Sequence, residues 1–285
     1  MSSRHAVIIP VYQPELSVQE LFSIRNTADK LSAHDIYIVG PEHLSGRMAA
    51  LCASFSRPLH YQSFPDRFFV SIDSYNQLLV SKVFYQAFIA YQYILIAQTD
   101  ALVFKDELNA WCSKGYSYIG APWFEGYTTP VLPLRLMGVG NGGFSLRSVP
   151  DFLRVLNRPR IFKNKLMESW PGSWVSNTYR YLKDYHSFVF GNIQINLAVN
   201  EDLFWGMFVA RHCDFFNVAA PAEAVAFAFE AYPDFMYELN QRALPFGCHA
   251  WERYGSAFWF EKLTQNGFDL TALRAEPSHT VTPGV

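Results

Sequence analysis

Three short apolar runs, separated by helix-length amphipathic stretches, set the terms on which this chain can fold. The first, AVIIPVY (Ala6–Tyr12), is cut by Pro10 and stopped by Pro14. Leu16–Ala33 then carries Leu21, Ile24, Ala28 and Leu31 at a spacing that puts them on one helical face. The second run, DIYIVG (Asp35–Gly40), is followed by Pro41 and a short helix through Met48–Ala53. Past a polar, aromatic stretch (Leu59–Val70), Ser71–Tyr91 reads as one helix with Leu78, Leu79, Val83 and Ala87 turned inward, and it leads into the third run at Tyr93. A strand that is apolar at nearly every position needs both faces covered. Alternating strands and helices supply those covers, so the expectation is an α/β protein with a mostly parallel sheet and helices on both faces.

The later pattern is looser. Lys105–Lys114 reads as a short helix, Ser117–Trp123 as a strand with its exit loop, and Gly138–Arg147 as a glycine-rich entry into another strand. Arg158–Gly191 reads as an irregular, aromatic, basic insertion. Asn200–His212 reads as a helix capped by Asn200, Phe215–Ala219 as a late strand and Ala222–Phe229 as a helix. The polar, proline-bearing Glu276–Val285 reads as a disordered tail.

Composition excludes some partners. A net charge of −2 without long runs leaves no electrostatic footprint for nucleic acid. No apolar run approaches the ~20 residues of a membrane span. Cys52, Cys112, Cys213 and Cys248 are too scattered for a CxxC site, and no signal-like segment opens the chain. They read as reduced thiols of a cytoplasmic protein.

The third run is where chemistry enters. In YILIAQTDALVF (Tyr93–Phe104), the polar Gln98-Thr99-Asp100 interrupts the apolar sequence at a strand end. Ligands of open α/β sheets bind beyond such ends, whereas an unpaired carboxylate inside the core would cost several kcal/mol. Three other segments stand out: GNGG (140–143), the acid pair Glu201-Asp202 at a helix start, and PFGCHAW (245–251) with His249 beside Gly247. GVGNGG (138–143) spells the dinucleotide GxGxxG, but a strand follows where that motif needs a helix, and the GK[ST] ending of a phosphate loop is absent.

Taken with IIPVY (8–12), SYNQLLVSKVFY (74–85), YIGAPW (118–123), GNGGFSLR (140–147) and EDLFW (201–205), these segments resemble a nucleotide-sugar glycosyltransferase of the GT-A fold. More closely, the chain resembles a family catalogued mainly as a domain of unknown function for which that fold is expected. The resemblance spans about Val7–Phe260. It implies a Rossmann-type mixed sheet in one domain over 1–275, with a nucleotide-binding half at about 5–105 and an acceptor half at about 106–275. It also implies a nucleotide-sugar donor and a carbohydrate or other hydroxyl acceptor.

Residue by residue, the resemblance sets Gln98-Thr99-Asp100 where such enzymes carry Asp-x-Asp, with Gln98 replacing the first acid. Asp100 and His249 become ligands of Mn²⁺ or Mg²⁺ at the donor diphosphate, and Gln98 and Thr99 donor contacts. Pro10 and Tyr12 fall at the nucleotide base, with Tyr75, Asn76 and Lys82 on a facing helix. Asn141, Gly142 and Gly143 lie against the donor sugar, and Trp123 and Trp251 stack on the acceptor. Asp202 becomes the general base and Glu201 its partner in holding the acceptor, so displacement would invert the sugar; Glu125 is the reserve base, and a retaining route would need none. Gln98 keeps a non-catalytic sugar- or nucleotide-binding protein in view. A hydrolase or phosphatase is disfavoured by the lack of a G-x-S-x-G elbow.

Overall fold

The computed structural model describes residues 5–126, 129–157 and 200–274. The insertion expected at Arg158–Gly191 and the tail expected at Glu276–Val285 lie outside them. The first half follows the predicted alternation through β1 (His5–Pro10), α1 (Val18–Lys30), β2 (Asp35–Pro41) and α2 (Ser45–Ala53), and the polar, aromatic Leu59–Val70 stretch, where no strand is expected, supplies β3 (His60–Phe64). Helix α1 starts where Ser17 and Glu20 cap each other's backbone amides, a reciprocal arrangement that satisfies two otherwise unpaired donors.

Between β3 and β4 (Tyr93–Ala97) the expectation of one long helix fails. The chain makes α3 (Ile72–Leu79), breaks at Val80-Ser81, and restarts as α4 (Lys82–Ala87) with the Ser81 hydroxyl accepting from the Phe84 amide. The restart rotates the buried face. Phe84, Tyr85 and Phe88 point inward, while Val83 and Ala87 are exposed. A serine that competes for backbone amides offers the chain a new cap in place of a continued helix.

The remaining elements are β5 (Leu102–Val103), α5 (Leu108–Ser113), β6 (Tyr118–Ile119), β7 (Pro122–Phe124), β8 (Leu136–Val139), β9 (Phe144–Ser148), α6 (Val149–Leu156), α7, α8 (Pro221–Phe227), β10 (Ala228–Phe229), α9 (Pro233–Leu239), β11 (Gly247–Cys248), α10 (Ser256–Gln265) and α11 (Thr271–Arg274). Helix α7 opens at Glu201–Leu203, widens into a π-helical stretch over Phe204–Val209 and closes at Ala210–His212. Asn200 does not cap it with a side-chain hydrogen bond; its Oδ1 accepts instead from Asn76 Nδ2 at 3.3 Å. The strand expected at Phe215–Ala219 reduces to an isolated bridge between Tyr118 and Val218. The helix expected over Ala222–Phe229 stops at Phe227, and its last two residues become β10.

Six strands form the central sheet in the order β3-β2-β1-β4-β9-β6. The first four are parallel, with β1, β2 and β4 apolar and the edge strand β3 polar, and β9 runs antiparallel to both β4 and β6. The chain steps outward from β1 to β2 and β3, then returns to pair β4 on the other side of β1. That reversal opens a crevice beyond the carboxyl ends of β1 and β4. The buried side chains of this sheet and its helices form the larger core. A second apolar cluster gathers Leu102, Phe229, Trp251, Trp259 and Leu263 under a small sheet ordered β10-β11-β5.

Candidate active site

Two registers decide which side chains meet. In the large sheet Ala97 pairs with Phe144, so the residues that follow β4 lie beside those that precede β9, and the Gln98 amide donates to the Gly143 carbonyl at 2.8 Å. In the small sheet Phe229 pairs with Cys248 and Cys248 with Leu102. Glu230, His249 and Asp100 sit just after β10, just after β11 and just before β5, so three residues remote in sequence become neighbours.

Their contacts are close. His249 Nδ1 donates to Glu230 Oε1 at 3.0 Å, and Nε2 lies 3.2 Å from both Asp100 Oδ1 and Gln98 Oε1. Burial disfavours the charged ring, but Asp100 and then Glu230 outweigh it and raise the His249 pKa to about 10. Burial also works against the Asp100 carboxylate, and the imidazole holds it below its ordinary value. Asp100 is the most accessible of the three, its side chain 40% exposed against 16% for His249 and 21% for Glu230.

The glycines of 142–143 serve these neighbours. A Cβ on Gly143 would fall 2.1 Å from His249 Nε2, and one on Gly142 would fall 2.4 Å from Glu201 Oε1. Absent side chains let an imidazole and a carboxylate press against the turn. Asn141, at φ +70°, shapes that turn through Oδ1, which accepts from the Gly143 and Phe144 amides; among the described residues its buried Nδ2 has no partner.

Asp202 lies on the other side of Gly142. Its Oδ2 accepts from the Gly142 amide at 3.1 Å and its Oδ1 from the Leu203 amide at 2.8 Å. Burial raises its pKa, while the two amide hydrogen bonds pull it back. Glu201 differs from its expected role at the acceptor. It is 3% exposed and forms a two-pronged ion pair with the fully buried Arg147, at 2.7 and 3.0 Å.

A cleft of about 1260 Å³ runs over these groups, lined among others by Tyr12, Tyr75, Gln98, Asp100, Asp202 and His249. Trp123, Asn76, Asn141, Gly142, Gly143, Glu201 and Glu230 also border it. Four expected site residues do not. Trp251 is buried, with Nε1 donating to Ser23 Oγ and Phe22 and Phe260 around its ring, because the small sheet turns it into the second core. Thr99 Oγ1 turns toward α1, where it donates to Glu20 Oε1. Pro10 is buried in the register of β1 with β2, and Lys82 is exposed at the start of α4. Glu125 is exposed and also outside the lining.

Two residues of the site escaped the sequence reading. Glu230 carries the same signal as Asp100, a carboxylate ending an apolar run, but the spacing of that run reads as helix. Arg147 was visible as a lone cation inside FSLRS. For a divalent cation, the donors at hand are one carboxylate, one imidazole and one amide oxygen, with the Asp100 and Gln98 oxygens each 3.2 Å from His249 Nε2; they would serve Mn²⁺ or Mg²⁺ only with the imidazole deprotonated and ligand oxygens completing the shell. No group of three or more His, Cys, Asp and Glu side chains among the described residues is arranged to hold a metal alone. Nor is any helix among them long and apolar enough to cross a membrane.

Comparisons with known proteins agree on the fold. The galactosyltransferase LgtC, solved with donor and acceptor sugar analogues, superposes with a TM-score of 0.50 at 11% identity, covering 96% of this chain and 98% of that one. Mouse xyloside xylosyltransferase 1 in its apo form gives 0.50 at 11% identity, covering 86% and 97%. No curated protein matches the sequence. The family model for a protein of unknown function, DUF5672, matches residues 58–249, from just before β3 to His249. The chain therefore belongs to the DUF5672 family, and its fold is that of the GT-A glycosyltransferases.

Proposed function

We propose that this protein transfers a sugar from a nucleotide-sugar donor to a hydroxyl acceptor, with Asp202 as the general base. One observation carries the reading: Asp202 lines the same cleft as the Asp100–His249 cluster, at the carboxyl edge of the sheet where ligands of this fold class bind. Tyr12 and Tyr75, with ring centroids 6.5 Å apart, offer an aromatic wall for a base, whereas Trp123 borders the cleft with its ring buried against Gly140. The Gly142 and Leu203 amides hold the Asp202 carboxylate in a fixed orientation, which suits a group that must meet one hydroxyl proton. Its raised pKa brings a base closer to neutral pH, where proton transfer is more efficient.

Asp100, His249 and Gln98 are the residues that would hold Mn²⁺ or Mg²⁺ with the donor's diphosphate. A cation there supplies neutralisation of the charge that builds on the leaving group. Glu230 orients the imidazole through Nδ1. With Asp202 as base, attack is a single displacement and the anomeric configuration inverts.

The test is turnover of UDP-, GDP-, CMP- and dTDP-sugars with and without Mn²⁺, with product configuration read by NMR. Asp202→Asn should cut transfer ~10²–10⁴-fold with donor binding intact, because the amide keeps the carboxylate's shape but takes no proton. Because the base must be ionised, the rate should rise with pH through a pKa above the ordinary aspartate value. Near-normal turnover of the variant, or retention of configuration, rejects Asp202 as base. Nucleotide binding without turnover of any donor would instead favour a binding protein, the reading that Gln98 keeps open.

A further inference from the structure

The feature that the reaction as proposed leaves unused is the buried Arg147–Glu201 pair. Arg147 is 0% exposed, yet each of its three guanidinium nitrogens donates to a protein acceptor. Nε donates to Ser145 Oγ at 3.1 Å, one terminal nitrogen to Tyr85 Oη at 3.1 Å and to Glu201 Oε2 at 3.0 Å, and the other to Glu201 Oε1 at 2.7 Å. We propose that this pair is a positioning device that sets the turn at Asn141–Gly143 and the acid Asp202 in fixed register across the cleft floor.

Three walls of the cleft meet at this one guanidinium. The first is the β9 turn, since Arg147 stands on β9 and Gly142 rests against the carboxylate it holds. The second is the start of α7: Glu201 and Asp202 are adjacent, so the clamp on one sets the other, whose Oδ2 accepts from the Gly142 amide. The third is α3, which carries Tyr75 and Asn76. Its last carbonyl, Leu79, is released by the break at Val80-Ser81 and accepts from Tyr85 Oη at 2.8 Å and from Trp205 Nε1 at 3.3 Å. Tyr85 thus accepts from Arg147 and donates to the end of α3.

Stability alone does not ask for such a pair. Replacing a buried ion pair by apolar residues of similar volume is often neutral or stabilising, because desolvation consumes much of the Coulombic gain. A forked guanidinium does what a hydrophobic cluster cannot, which is to dictate both direction and distance for the carboxylate it holds. The consequence for catalysis rests on the reading of Asp202 as base. The positioning claim itself does not.

The experiment compares the Arg147→Met, Glu201→Met double substitution with Arg147→Lys, which keeps the charge and loses the fork. Thermal unfolding reports the fold, hydrogen exchange the Gly142 and Leu203 amides that bond Asp202, and steady-state kinetics with the donor that the wild-type protein turns over report kcat and KM. The double variant should fold, exchange both amides faster and lose ~10–100-fold in kcat with donor KM little changed, as expected when a reacting group is misplaced by about 1 Å. Arg147→Lys should show the same changes in smaller degree, and it decides the matter if the double variant fails to fold. Wild-type exchange at Gly142 and Leu203 in a folded variant overturns the proposal. Faster exchange with unchanged kcat keeps the positioning and, with an active Asp202→Asn, locates the failure in the choice of base.

Discussion

The cleft holds two clusters made from the same ingredients, a basic side chain held by carboxylate, and they are built for opposite ends. In Asp100–His249–Glu230 the side chains are 16–40% exposed, and the imidazole is shared among three acceptors. In Arg147–Glu201 both partners are essentially closed to solvent and the contact is two-pronged. An accessible cluster can exchange a partner for a ligand at modest cost, because water and the ligand compensate whichever group is released. A closed one cannot, since a released charge would be left bare in a low-dielectric interior. Accessibility, more than residue type, separates the group that handles a ligand from the group that holds the frame.

The comparison breaks most sharply at Arg147. Arg147→Ala should lower stability by about 3–5 kcal/mol in urea denaturation, the range for stranding one half of a buried ion pair. A loss below ~1 kcal/mol, the scale of surface pairs, would mean that the two clusters do not differ as argued. The adjacent glycines sharpen the contrast. Gly142→Ala and Gly143→Ala should each cost roughly 1–3 kcal/mol from overpacking. The first should cost more, because the Glu201 carboxylate is locked in a closed pair with Arg147, whereas His249 belongs to the more accessible cluster. The reverse order in matched melting curves would place the rigid neighbour at Gly143.

Smaller effects belong to the open cluster. Asp100→Ala should leave the melting temperature close to wild type in the absence of ligand and abolish the Mn²⁺-dependent part of nucleotide-sugar binding, read by titration calorimetry. Unchanged affinity with Mn²⁺ would remove Asp100 from the donor site. Smallest of all, Lys82→Ala should be silent in kcat, KM and melting, since the side chain is exposed and outside the cleft lining. A rise in donor KM would restore it to the diphosphate.

What the sequence determined by itself is the part of the molecule whose physics is local. Apolar β-runs, helical spacing and an interrupting carboxylate are properties of consecutive residues, so β1, α1, β2, β4, the helix from residue 201 and the strand-end place of Asp100 could all be read before any fold was known. The tertiary structure decided everything that depends on neighbours supplied by sheet register. The Ser71–Tyr91 segment breaks because Ser81 recaps it and Tyr85 and Trp205 take up the freed Leu79 carbonyl. Trp251 is lost to the core because the small sheet turns it inward. Glu230 meets His249, and Arg147 meets Glu201, across 19 and 54 positions of chain. A buried polar group must find its partner wherever the packed strands bring one, and hydrophobic periodicity carries no record of which strand ends will lie side by side.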